Sequence, residues 1–187
     1  MLKYRRINVI IISFLLITMG KAYSYEDGFG EAKELDSKQF TLYYSPQLDA
    51  VALARKLNIT FSDKILSGTG AGSGQFGLAE SLDTLFLSVC NILDMNLYSF
   101  RGTIKVCRDE NQLSIIYANL FGKSLGGRYS FYASDLNTIY ISQDHFEREV
   151  LGHEIAHAII SHYFVVQSPV KVSEVLAGYV EYELRKK

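Results

Sequence analysis

The stretch EVLGHEIAHAIISHYF, Glu149 to Phe164, holds three of the chain's four histidines, His153, His157 and His162, and the fourth, His145, lies just upstream. His153, Glu154 and His157 form the pattern H-E-x-x-H. On a helix advancing about 100° per residue, His153 and His157 stand only about 40° apart, one turn along the same face. Two neutral imidazoles so placed can share one Zn2+ at about 2.0–2.1 Å. Glu154 falls about 60° from His157, beside such a metal but not in line with it. A carboxylate there is placed to take a proton from an attacking water instead of binding the metal. The competing reading is a helix with two part-buried histidines and a surface glutamate. The neighbours Val150, Leu151, Ile155, Ile159 and Ile160 count against it, because isolated imidazoles among them would need other polar partners.

Two imidazoles leave the site one protein ligand short. His162 lies about 180° from His153 and about 140° from His157, so it cannot reach the same point while the helix continues. It also misses the longer H-E-x-x-H-x-x-G-x-x-H arrangement, whose glycine turns the chain back to the metal. His145 is two turns upstream, in the first turn. A carboxylate from elsewhere is the remaining choice, and SEVLAGYVE, Ser173 to Glu181, offers one. There Glu174, Ala177, Gly178 and Glu181 share one helical stripe, while Val172, Val175, Leu176 and Tyr179 form another. The small residues allow close approach to a neighbouring helix, and a turn through Gln167–Pro169 would bring Glu174 towards the histidines. The alternative is that Glu174 and Glu181 merely solvate a surface face, where Ala and Gly would have no particular use.

HEIAH followed by SEVLAGYVE resembles the gluzincins, the thermolysin-like and aminopeptidase-like zinc metallopeptidases. Glu174, Ala177, Tyr179 and Glu181 match their second motif, Glu-x-x-Ala-x-Tyr-x-Glu, at somewhat shorter spacing from the first. The order of elements before it is similar to the peptidase-MA-like domain. The resemblance implies a zincin-like fold, His153, His157 and Glu174 as zinc ligands, Glu154 as general base and acid, and Glu181 in support at most. It also implies a protein or peptide substrate lying along the strand Thr138–Ser142, paired with a free edge of that strand. Larger members continue into a helical region that forms the far wall of the cleft and supplies an oxyanion donor. Here the donor candidates are Tyr179, Tyr182, His162, Arg128 and Tyr129. With that wall lacking, the other reading is a non-catalytic, zinc-stabilised domain that binds a peptide or envelope partner.

The elements that must position these residues are legible as an α+β pattern, a small mixed sheet packed on helices. Residues 25–38 are polar and read as a loose leading segment. Gln39–Ser45 alternates as a strand, and Pro46 opens a helix that runs on towards Leu66. Leu78–Met95 is a strongly apolar helix, Gly102–Asp109 a strand, and ENQLSIIYANLFG a further helix. GRYSFYAS and NTIYIS read as a hairpin joined through Asp135–Leu136. Asp144 and Glu147 have capping-box spacing at the start of the metal helix, and a last helix spans roughly Lys171 to Arg185.

At 187 residues the chain fits one domain with a real core. Nineteen Lys and Arg against 20 Asp and Glu give a net charge of −1, so composition offers no reason to expect nucleic acid. MLKYRR, a fourteen-residue apolar run and KAYS read as a signal peptide over residues 1–24, with a domain over 25–187 that works in the periplasm or outside the cell. Membrane contact follows only if that run is retained as an anchor; it is short for the roughly 20 residues of a spanning helix. Cys90 and Cys107 would suit one disulfide in that compartment, or two buried thiols. The run SGTGAGSGQFG, Ser67–Gly77, lacks the Lys-Ser/Thr of a phosphate loop and reads as a surface loop.

Overall fold

The computed structural model describes residues 27–59 and 77–186. The expected signal peptide, nearly all of the Gly-rich run and residues 60–66 of the expected first helix lie outside the described residues; within them that helix already ends at Lys56, and Asn58 takes a left-handed φ of 45°.

The five strands form one mixed sheet. Strands β1 (Lys33–Asp36), β2 (Phe40–Tyr44), β3 (Gly102–Cys107), β4 (Ser130–Ala133) and β5 (Thr138–Ser142) stand in the order β1-β2-β3-β5-β4. β2, β3 and β5 run parallel, while β1 and β4 are antiparallel to their neighbours. The register lines Leu42, Ile104, Ile139 and Tyr132 into one cross-strand row, and Tyr44, Val106, Ile141 and Ser130 into the next. Both rows belong to one face, since residues two apart on a strand point the same way. The opposite face carries Phe131, Ala133 and Tyr140.

Helices cover both faces. On the first lie α1 (Ala50–Lys56), α2 (Leu78–Leu93), α4 (Arg148–Tyr163) and α5 (Val170–Arg185), whose buried Leu53, Leu82, Phe86, Ile155, Ile159, Ala177 and Val180 join the sheet rows in the larger core. On the second lies α3 (Glu110–Phe121), which adds Leu113 and Ile116 to a smaller cluster with Phe29 and Leu125. No helix among the described residues is long and apolar enough to cross a membrane.

Several expectations are corrected. KELD, read as part of a loose segment, is an edge strand: β1 buries almost nothing, so no apolar alternation marks it. The first helix begins at Ala50, not Pro46, because the Asp49 carboxylate accepts the Val51 N–H at 3.0 Å and caps it there. The Asp144–Glu147 capping box does not form; Gln143–His145 is a 3-10 turn, and Glu147 precedes α4 without a side-chain cap. Of the two readings left open for Cys90 and Cys107, the structure shows the buried thiols: both are free and belong to different cores.

The most consequential correction concerns the strand expected to offer a free edge. Thr138–Ser142 is interior, paired with β3 on one side and β4 on the other, and every residue of it is buried. The sheet edge on that side is β4.

The close approach of α4 and α5 is also displaced from where the sequence placed it. Gly178 faces open space, whereas a Cβ on Gly152 of α4 would stand 2.2 Å from Leu184 Cδ1 of α5. Gly152 and the fully buried Ala177 let the two backbones come together.

Candidate metal centre

Helix α4 presents His153 and His157 one turn apart, and α5 folds back so that its first turns meet them. The two Nε2 atoms lie 3.2 Å apart, and Glu174 Oε2 is 3.8 Å from each. Donors bound at about 2.0–2.1 Å to one tetrahedral cation stand about 3.4 Å apart. The observed triangle departs from that by only a few tenths of an ångström. Among the described residues, His153, His157 and Glu174 form a group whose donor atoms all lie within 4.8 Å and which could hold a metal ion.

The far sides of the rings support the same use. His157 Nδ1 is 2.9 Å from Ser173 Oγ, and His153 Nδ1 is 3.3 Å from Glu181 Oε2. The second contact is close but not aligned as a hydrogen bond, and His153 Nδ1 is otherwise without a partner. A carboxylate can only accept, so Glu181 favours a proton on Nδ1 of His153. Its Nε2 lone pair then faces His157 Nε2 at 3.2 Å, where it can accept that ring's N–H or, with both Nε2 atoms deprotonated, share a cation with it. Burial, with His153 adding to it, lowers the pKa of His157, which keeps that ring in the neutral form a metal needs.

Glu154 lines the same cleft without joining the triangle. It is buried, and Ser130 Oγ donates to its Oε1 at 2.7 Å. Burial pushes the carboxyl's pKa up, and the Ser130 bond works against that shift. Ser130 is the polar end of the row Tyr44–Val106–Ile141, so the sheet register aims its hydroxyl at α4.

The cleft has a volume of about 880 Å3 and runs between β4 with its preceding loop, α4, and the start of α5. Arg128 and Tyr129 line it, as the sequence reading allowed, and Tyr129 stacks on His145 at 3.7 Å. Tyr179 and Tyr182 do not line it; both are exposed on the outer side of α5. His162 is outside it too, with Nδ1 2.8 Å from Ala158 O and its ring edge-on to Phe100. Glu181 lines the cleft and keeps a supporting place beside His153.

Sequence reasoning missed Ser130, Ser173 and Tyr132. Tyr132 projects from β4 into the cleft wall, donates to Asn137 Oδ1 at 3.1 Å and receives the Ser161 hydroxyl at 3.2 Å. The one available signal was that Ser130 and Tyr132, two apart on a strand, share the face towards the metal helix.

No family model, no curated protein and no solved structure matches the chain. Function therefore rests on these side chains alone.

Proposed function

We propose that the chain is a zinc-dependent peptidase of the gluzincin type with a zincin-like fold, acting outside the cytoplasm on protein or peptide substrates. One observation carries the reading: two histidine Nε2 atoms and a glutamate oxygen converge on one point, and a fourth group, Glu154, enters the same cleft without being a ligand. His153, His157 and Glu174 would hold the ion. Bound zinc supplies a Lewis acid that polarises a carbonyl and makes water acidic enough to attack near neutral pH.

The chain's own residues do the rest. Ser130 occupies Oε1 of Glu154, which leaves Oε2 to take the proton of the attacking water and pass it to the leaving amine. β4 ends the sheet beside the cleft, so an extended peptide can add to it as a further strand with its scissile bond over the triangle. Arg128 and Tyr129, also in the cleft wall, are the groups that can face the developing oxyanion.

A second reading, a non-catalytic zinc-stabilised domain that binds a peptide or envelope partner, draws on the burial of Glu154 against Ser130. Glu154→Gln separates the two. The peptidase reading expects that variant to keep the metal and lose cleavage of an unstructured protein such as casein. Equal inertness of wild type and Glu154→Gln across a broad peptide library, with metal bound in both, would favour the binding domain.

A further inference from the structure

Helix α5 uses one side for the core and the site, and leaves an apolar side in water. Val172, Val175, Tyr179 and Tyr182 are all exposed, Val175 by 70% and Tyr182 by 58%. At about 100° per residue they fall within about 80° of arc, roughly 150° round from Ala177, Val180 and Leu184. Their spacing of three, four and three is that of a heptad seam, not of residues exposed singly at random. A Val and a Tyr at each end of the stripe also make it self-complementary. If a second α5 lies antiparallel about a two-fold axis level with Ala177, Val172 meets the partner's Tyr182 and Val175 meets the partner's Tyr179. Each layer then sets a small side chain against a large one.

The area argues for the same occupant. The four side chains leave roughly 400 Å2 in water, and the stems of the flanking Lys171, Leu176, Glu183 and Lys186 bring the face to roughly 600 Å2, the lower end for a specific dimer. A free two-heptad peptide would be too short to hold such a pair. α5 is already folded on its domain, so association orders little new chain. Glu174 and Glu181 lie roughly 130° round the helix from the seam, which leaves the cleft open.

We propose that this face of α5 binds a second copy of the chain, as an antiparallel helix pair with Val172, Val175, Tyr179 and Tyr182 in its seam. The dimer stands independently of any peptidase activity.

Sedimentation across concentrations up to roughly 200 μM gives the first test. The expected result is a concentration-dependent dimer that Val175→Glu converts to monomer at every concentration, with its circular dichroism unchanged because Val175 is exposed. Register is read by cross-linking. The double variant Val175→Cys/Tyr179→Cys should oxidise to a covalent dimer about tenfold faster than the mismatched Val172→Cys/Tyr179→Cys. Burial raises the native Cys90 and Cys107 thiols to about 11 and about 12, so they stay out of the exchange. A wild type that stays monomeric, a dimer indifferent to Val175→Glu, or equal cross-linking of both pairs would overturn the proposal. So would a monomer that uses this face only to bind anionic vesicles.

Discussion

Replacing Gly152 by alanine tests the helix pair on which the candidate metal centre depends. The added methyl would stand 2.2 Å from Leu184 Cδ1, 3.7 Å from its Cγ and 3.8 Å from Leu85 Cδ1. Carbon atoms rest about 3.5–4.0 Å apart, so the first contact is short by well over an ångström. Leu184 is only 2% exposed and cannot swing into water. Overpacking of this kind costs about 1–3 kcal/mol, while Gly→Ala inside a helix gains about 1 kcal/mol. Gly152→Ala should therefore cost a net of up to about 2 kcal/mol, read by urea unfolding with chelator present. Leu184→Ala alone should cost about 2–5 kcal/mol. In that background the new methyl meets no clash, and Gly152→Ala should become stabilising by up to about 1 kcal/mol, a coupling of about 1–3 kcal/mol. If Gly152→Ala stabilises both backgrounds equally, α4 and α5 do not meet at Leu184 and the placement of Glu174 fails with them.

Three further outcomes follow from named contacts. Ser173→Ala removes the partner of His157 Nδ1 and should weaken zinc binding by about 10–100-fold, measured by chelator competition, with the fold unchanged. Glu181→Gln should weaken it in the same direction through His153, though less, because that contact is not aligned. Asp27 supplies a pH test. Burial opposes its ionisation, but bonds from Lys105, Tyr140 and the Phe29 N–H outweigh it and hold its pKa below the ordinary 3.8. A depressed carboxylate stabilises the fold above its unfolded pKa and stops doing so as pH falls through the lower folded value. The stability gap between wild type and Asp27→Asn should be full at pH 7 and close below about pH 4; a gap independent of pH would contradict the assignment.

The grouping of the candidate site residues was more legible in the sequence than their surroundings. Helical spacing keeps His153 with His157 and sets His162 apart because these are matters of angle, whereas Glu174 is reached by elimination and by the second motif of the resemblance. Strands β2 to β5 and α2 were legible from their apolar residues, whereas α4, apolar nearly all round, was legible from the H-E-x-x-H spacing. What failed was what period cannot encode. Alternation says which face a strand buries but not which strand lies beside it, so nothing local corrects the free edge that the resemblance implies for β5 and that β4 provides. β1 escaped because an edge strand of KELD needs no apolar residue. Gly178 looked like the close-packing position and Gly152 did not, since a glycine's neighbours are set by the partner helix. Ser130 gained its place from a register across four strands, which no local pattern records.

Elemental analysis of the purified protein tests the central claim most directly. About one zinc per chain in the wild type, lost in His153→Ala and in Glu174→Ala while circular dichroism shows both still folded, is the expected result. A folded wild type without metal, or zinc retained at full stoichiometry by both variants, would contradict it.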